Sequence, residues 1–149
     1  ERMLDQGITV GLGNDGFTNN MFTEIHTAYL WHRASAGDPR VLPGNRLIEM
    51  AFHNNATIAG LFFPRPVGAL APGASADIIV LDYHPYTPLT DDNYPWHVVF
   101  GMDGSQVTHT ICGGQLLMND RELLTLDEAA IAARARQLAP AIWRRVQEL

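Results

Sequence analysis

Residues 8–16 read ITVGLGNDG, and this stretch decides how the rest of the chain is interpreted. Apolar residues alternate with small or polar ones over residues 8–12, which predicts a short β-strand. The strand runs into Asn14-Asp15-Gly16, three residue types that suit a tight reversal. Asp15 is therefore predicted to lie at the C-terminal end of a strand. There it is either a turn-forming residue or a functional carboxylate.

Helices are predicted on both sides of this stretch. Residues 1–6 have the pattern of a last helical turn, and Gly7 suits its C-cap. Helical spacing of apolar residues predicts further helices over about 21–34 and 46–59, the second stopped by Gly60. The candidates for the N-cap of the first of these are Thr18, Asn19 and Asn20.

The second part of the chain is predicted to be mostly β, beginning near residue 64. Prolines and glycines separate short runs that suit strands: VGAL, DIIVLD, WHVVFG and QVTHTICGGQLLM. Gly113-Gly114 is a two-residue hairpin signal. The chain then closes on a predicted helix that begins with a Thr125/Glu128 capping box, that Pro140 should break or kink, and that carries an apolar stripe ending at Leu149. Packing against a parent domain is the simplest role for that stripe.

Composition excludes several classes of partner. The formal net charge is −6 and the basic residues are scattered, so nucleic acid is not an expected partner. No apolar run approaches the roughly 20 residues that span a bilayer, which favours a cytoplasmic protein without membrane contact. The single cysteine, Cys112, lies in an apolar strand pattern and is expected to be a buried, inert thiol.

The residues alone do not predict a self-contained active site. The six histidines do not pair at the short spacing of a metal site, so each is expected to be an ordinary histidine. A Walker-type phosphate loop and a Gly-x-Ser-x-Gly nucleophile turn are also missing. Spacing alone supports only a soluble mixed α and β segment with one aspartate of interest.

Four stretches resemble the metal-dependent amidohydrolases of the ATZ/TRZ-like deaminase and chlorohydrolase branch. GITVGLGNDGF is similar to that family's last barrel strand, and NNATIAG to a following helix. PVGALAPGASADIIVLD is similar to the segment that returns to a small β-sandwich, and ICGGQLLMNDRELLTLDE to its closing hairpin. The resemblance covers nearly the whole chain, and GNDGFTNNMF, DYHPYTPLT and PWHVVFG are most similar to SsnA-type aminohydrolases.

The resemblance implies an α/β fold: the C-terminal end of a TIM-type (β/α)8 barrel, with its last strand and helices, plus part of a β-sandwich. Residues 1–63 are expected to belong to the barrel, 64–124 to the β-sandwich, and 125–149 to the C-terminal helix. A complete barrel takes roughly 250 residues. The chain is therefore expected to be a fragment that is inactive without the rest of the barrel.

The resemblance also implies a chemistry. Asp15 occupies the position of the aspartate that binds a single Zn²⁺ or Fe²⁺, the histidine ligands lying outside this sequence. The metal-activated water would deaminate a small nitrogen heterocycle, and Asp15 would also take the water's proton. Asn19 and Asn20 are candidates for substrate contact, with helix capping as the alternative role. A homodimer is expected by family analogy.

Two other functions remain open at this point. The same activated water could displace chloride instead of ammonia. Alternatively, a genuinely short chain could be a non-catalytic binding or assembly module.

Overall fold

The computed structural model describes residues 1–16 and 18–148. Phe17, which lies in the GITVGLGNDGF motif, and Leu149, the last residue of the predicted apolar stripe, are outside the described residues. The helices are α1 (Arg2–Asp5), α2 (Met21–Ala36), α3 (Gly44–Ile48), α4 (Asn55–Ala59), α5 (Tyr94–Phe100) and α6 (Glu128–Gln147). The strands are β1 (Ile78–Leu81), β2 (Val107–Cys112), β3 (Gln115–Asn119) and β4 (Glu122–Leu123).

The N-terminal helix ends as predicted, but the stretch after it is not a strand. The Gly7 N–H donates to the Leu4 carbonyl and the Ile8 N–H to the Met3 carbonyl, and Gly7 has φ +75°. These contacts form a Schellman C-cap. Residues 8–14 pair with no other strand in the described chain. The predicted strand is not formed in the described residues, where the main chain bonds to side chains instead of a β-ladder.

The two following helices are confirmed. α2 begins after Asn20, whose side chain accepts a hydrogen bond from the Phe22 N–H, and ends at Gly37 with φ +63°. The second predicted helix is one rod made of α3, a π-helical turn (Glu49–Asn54) and α4. The π turn widens the middle of this rod just before Asn55.

The sheet has four antiparallel strands in the order β1-β2-β3-β4. The strands predicted from DIIVLD and QVTHTICGGQLLM are confirmed. Gly113 and Gly114 have φ +56° and +84°, which is the conformation of a two-residue type I′ hairpin turn. The VGAL run is not a strand in the described structure.

The WHVVFG run was predicted as a strand and is instead part of helix α5. Residues His97, Val98 and Val99 are all buried, because α5 packs between α2 and α3 and the loop before it. A short apolar run buried on several sides looks the same in sequence whether it is helix or strand. Asn93 and Pro95 at the helix start are the signal that was missed.

The core lies where α2, α3 and α5 meet. Its fully buried side chains are Ile25, Leu42, Leu47 and Val98. Tyr29 on α2 makes edge-on aromatic contacts with Trp96 and Phe100 on α5 at centroid distances of 6.1 and 5.0 Å. The core therefore joins α2 and α3, in the first part of the chain, to α5 near residue 100.

Helix α6 differs from the prediction at its start. Its N-cap is Asp127, whose carboxylate accepts from the Ala130 N–H at 2.9 Å, so the Thr125/Glu128 capping box was wrong. The helix continues through Pro140 without a break. None of its described residues is buried, and the apolar stripe faces outward. Among the described residues, no helix is long and apolar enough to cross a membrane.

Cys112 is exposed, which corrects the prediction of a buried thiol. It is the last residue of β2, beside the hairpin turn, where the strand leaves the packed part of the sheet. A hydrogen bond and the negative charge of Asp77 raise the pKa of the Cys112 thiol. The thiol is therefore accessible but held in its less reactive protonated form.

Candidate functional site

Asp15 lies in a tight turn at the end of residues 8–14. Its φ is +49°, in the left-handed region that Asp and Asn adopt more readily than most residues. The side chain is exposed. Within residues 1–16 and 18–148, the structure records no hydrogen bond or ion pair for its carboxylate. The turn prediction for Asn14-Asp15-Gly16 thus agrees with the backbone, and the carboxylate oxygens are accessible for a ligand.

Two consecutive asparagines hold the segment that leads to Asp15. Asn55 Nδ2 donates to the Leu12 carbonyl at 2.8 Å, and the Leu12 N–H donates to Asn55 Oδ1 at 3.0 Å. Asn54 Nδ2 donates to the Val10 carbonyl at 2.9 Å. We call Asn54 and Asn55 the asparagine clamp. Through it, the helical rod satisfies main-chain groups that a neighbouring strand would satisfy in a sheet.

Gly11 lets the segment approach the rod closely. A Cβ at this position would lie 2.2 Å from Asn55 Oδ1 and 3.0 Å from Ile58 Cδ1. Such distances are too short for any side chain, so the contact requires glycine. Gly13, two residues on, has open space around the corresponding position.

The loop after Asp15 is organised by its own amides. Asn14 Nδ2 donates to the Thr18 carbonyl, and also to Asn19 Oδ1 at 3.0 Å. Asn19 is exposed. Asn14 and Asn19 therefore brace the short loop between the Asp15 turn and α2.

Asn20 caps α2 and also connects it to the loop after α5. Its Nδ2 donates to Asp103 Oδ2 at 3.1 Å, while its Oδ1 accepts from the Phe22 N–H at 3.1 Å. Hydrogen bonds from Ser105 and Asn20 lower the pKa of Asp103. The capping role expected as an alternative for this residue is thus present, and both polar atoms of its amide are engaged.

The histidines do not gather around Asp15. In the described residues, no group of three or more His, Cys, Asp or Glu side chains could hold a metal ion. His97, buried in α5, has Tyr83 Oη 2.6 Å from its Nδ1 and Thr87 Oγ1 3.3 Å from its Nε2. It is therefore a satisfied core histidine.

Sequence reasoning missed the asparagine clamp. Its members lie 43 and 44 residues from their partners, beyond any local periodicity. The available signal was two consecutive asparagines inside a predicted helix, where this residue type is unfavourable because its amide competes with the helix for backbone bonds. Such a pair indicates a specific contact.

Comparison with known proteins assigns the chain to a family. The model of the amidohydrolase family matches residues 1–117. The chain is 38% identical over 144 residues to a 5'-deoxyadenosine deaminase of Methanosarcina acetivorans, covering 93% of this chain and 32% of that protein. It is 35% identical over 149 residues to a 5-methylthioadenosine/S-adenosylhomocysteine deaminase of Haloarcula marismortui, covering 96% and 33%. The chain spans about a third of the length of these curated relatives.

Solved structures give the same result. An adenosine deaminase from Xanthomonas campestris with bound zinc superposes with a TM-score of 0.78 at 25% identity, over 95% of this chain and 33% of that one. An atrazine chlorohydrolase from Arthrobacter aurescens TC1 complexed with zinc has a TM-score of 0.67 at 26% identity, over 91% and 30%. With the family model matched over most of its length, this chain belongs to the amidohydrolase family.

Proposed function

We propose that this chain forms the C-terminal part of a metal-dependent deaminase and supplies Asp15 as a metal ligand. The observation that carries the proposal is the position of Asp15: an exposed carboxylate on a tight turn, at the end of a segment anchored by the asparagine clamp. Active sites of barrel enzymes lie at the ends of the strands, where short carboxylates reach the central axis.

The proposal places this chain in a larger barrel. In it, residues 8–12 take the position of the last barrel strand, with the asparagine clamp still bonded to Val10 and Leu12. Residues 1–63 belong to the barrel, 64–124 contribute to a β-sandwich, and 125–149 form a helix that packs against the parent domain. The antiparallel sheet of β1 to β4 supports the middle assignment. Helix α5 is the part of that middle segment that packs onto the barrel helices.

Of the described residues, Asp15 is the one that we propose as a ligand of a divalent metal. A carboxylate oxygen suits Zn²⁺ or Fe²⁺, and the remaining protein ligands would come from other strands of the barrel. The zinc in the Xanthomonas campestris and Arthrobacter aurescens structures supports Zn²⁺ as the metal to test first.

We assign two chemical roles to Asp15, as a metal ligand and as a general base. A bound divalent metal supplies Lewis-acid catalysis and lowers the pKa of a water molecule towards neutrality. Asp15 would be one of the residues that hold the metal, and its carboxylate would take a proton from the attacking water. The water oxygen would form a bond to the ring carbon as the bond from that carbon to the amino group breaks, and the proton would pass to the amino group, which leaves as ammonia.

The substrate is proposed to be an amino-substituted nitrogen heterocycle. The relatives named for 5'-deoxyadenosine and 5-methylthioadenosine favour an adenosine derivative over a chlorinated ring. Displacement of chloride uses the same water and stays the alternative, since one structural neighbour is a chlorohydrolase. Asn19, exposed in the loop after Asp15, stays the candidate for substrate contact, while Asn20 is a weaker one because its amide is already bonded.

The test is Asp15→Asn in the complete protein. Asparagine adopts φ near +49° as readily as aspartate, so the turn should be retained. We expect bound zinc to fall and ammonia release from 5'-deoxyadenosine to drop by about 10²- to 10⁴-fold, the usual contribution of a general base. Asp92→Asn, an exposed aspartate outside the site, is the control. A metal-replete and fully active Asp15→Asn protein would disprove the proposal.

A further inference from the structure

We propose that Asn55 is a positioning residue for Asp15, acting through the main chain of Leu12. The proposal rests on the proposed function, because it concerns the same metal site. Asn55 bonds to both the N–H and the carbonyl of Leu12, three residues before Asp15. It thereby fixes the segment from which the carboxylate projects.

The geometry of this contact restrains rotation as well as distance. One hydrogen bond would leave the Leu12 backbone free to turn about it. The paired bonds, at 3.0 and 2.8 Å, hold the donor and the acceptor of one residue at once. Of the common side chains, an amide of this length presents an acceptor and a donor side by side in the neutral state.

The restraint acts close to the carboxylate. Three residues of extended chain span at most about 11 Å, so a rotation at Leu12 moves Asp15 and also changes the direction of its carboxylate. The Asn54 bond to Val10 holds the segment at a second point, two residues earlier. With two anchors, the register of residues 10–12 along the rod is fixed.

Gly11 gives independent support for a contact shaped around Asn55. It lies between the two anchored residues, and a methyl group there would overlap the Asn55 amide oxygen. Gly11→Ala should therefore displace the amide without altering it chemically. Gly13→Ala adds the same methyl group where the described residues leave open space, and is the matched control.

The alternative is that Asn55 only holds the helical rod against the segment. A purely structural residue would affect the metal site in proportion to the stability lost. Val98→Ala, a truncation in the buried core on α5, provides this comparison. It lowers stability through the core and removes no hydrogen bond of the segment before Asp15.

The experiment measures Zn²⁺ affinity in the complete protein by competition with a chelator, together with melting temperature and kcat at saturating zinc. For Asn55→Ala we expect zinc binding to weaken by about 10- to 100-fold, as for other residues that orient metal ligands, and kcat to fall. Asn55→Asp keeps the acceptor but loses the donor, so its zinc affinity should lie between that of Asn55→Ala and that of the unmodified protein. Gly11→Ala should weaken zinc binding, and Gly13→Ala and Asn45→Ala, on the exposed side of α3, should not.

Zinc binding by Asn55→Ala or Gly11→Ala equal to that of the unmodified protein would overturn the inference. The inference would also be overturned if Asn55→Ala lost no more zinc affinity than a Val98→Ala protein of the same melting temperature. The Asp15→Asn variant separates this failure from failure of the proposed function. If Asp15→Asn loses zinc while Asn55→Ala retains it, only the positioning role is wrong, and if Asp15→Asn retains zinc, the assignment of the metal ligand is wrong.

Discussion

At the scale of single residues, we expect the charge of Asp77 to slow the alkylation of Cys112. The Asp77 side chain hydrogen-bonds to the thiol and raises its pKa. Asp77→Asn removes the negative charge, while its amide oxygen can still accept the 2.7 Å bond from the Gly113 N–H. At about pH 8, below the ordinary thiol pKa, the variant should hold more thiolate and react faster with iodoacetamide.

Peptide mass spectrometry of Cys112 in the complete protein measures this rate. The control is Asp92→Asn, which should leave the rate unchanged. Equal or slower alkylation in Asp77→Asn would show that its charge does not govern the thiol.

The candidate site was predictable from sequence only in its turn. Asn14-Asp15-Gly16 carries its own backbone preference, so the position of Asp15 followed from three adjacent residues. The contact of Asn55 with Leu12 depends on two segments meeting across 43 residues, which no local pattern encodes. The same limit explains Cys112: alternation predicts which residues share a face, but the neighbouring elements decide whether that face is covered.

At the scale of elements, the hairpin between β2 and β3 depends on the backbone of its two glycines. Both have positive φ, and a Cβ on either meets nothing within 4 Å, so any cost of substitution comes from the backbone alone. Gly114→Val should destabilise the protein by roughly 1–2 kcal/mol, the cost of a left-handed L-residue. Gly113→Asn should be tolerated, since Asn-Gly is the preferred type I′ pair.

Urea unfolding of the two variants tests this pair of predictions. Because each substitution adds one side chain at an open position of the same turn, each serves as the other's control. Equal stabilities would mean that the turn does not hold its type I′ conformation.

Asp103 makes the junction of α2 with the loop after α5 sensitive to acid. Bonds from Ser105 and Asn20 lower its pKa in the folded protein. A lowered folded-state pKa contributes stability that is present above the unfolded pKa, about 3.9, and is lost as pH falls through the folded value. Asp103→Asn removes this titration, and its single amide oxygen can replace one of the two accepting carboxylate oxygens.

The expected result is a difference in free energy of unfolding between the unmodified protein and Asp103→Asn that shrinks below about pH 4. Urea unfolding of chelator-treated protein measures it, so that metal loss does not contribute. Asp92→Asn is again the control. A difference that stays constant through the acid range would show that Asp103 is not stabilised as its carboxylate.

The secondary structure could be predicted where the conformational preference of a segment's residues agrees with the way the segment is buried. DIIVLD and the Gly113-Gly114 hairpin combine β-branched residues with a turn that fits them, and both are confirmed. WHVVFG has the same strand-like composition, yet it is helical because it is buried against α2 and α3. Tertiary contacts therefore decided the short apolar run, whereas the longer periodic segments of α2 and α6 needed no such information.

At the scale of the whole molecule, α5 shares one core with the helices near the N-terminus, but α6 does not contribute to it. Val98 and Val99 of α5 belong to the same core as Ile25 and Leu47. None of the described residues of α6 is buried, and Ile142, Trp143 and Val146 are 58%, 64% and 52% exposed. A helix that keeps such a stripe in water is incompletely packed.

This exposure predicts how the 149-residue chain behaves when produced alone. Soluble monomers rarely expose contiguous apolar patches beyond a few hundred Å², so the isolated chain should self-associate and bind the dye ANS. Ile142→Lys combined with Val146→Lys charges the stripe without altering the described core, and should reduce both signals. Arg144→Lys combined with Arg145→Lys, on the same helical turn, leaves the charge unchanged and is the matched control.

Light scattering over a concentration series distinguishes the two views of the chain. Association that depends on the α6 stripe supports the proposal that this helix packs against the rest of a larger enzyme, because the stripe then needs a partner to be covered. A monomer that binds no ANS would mean instead that the chain tolerates its exposed stripe and folds as an independent module. In that case the assignment of residues 125–149 to packing on a parent barrel would have to be abandoned, while the positions of Asp15 and Asn55 would be unaffected.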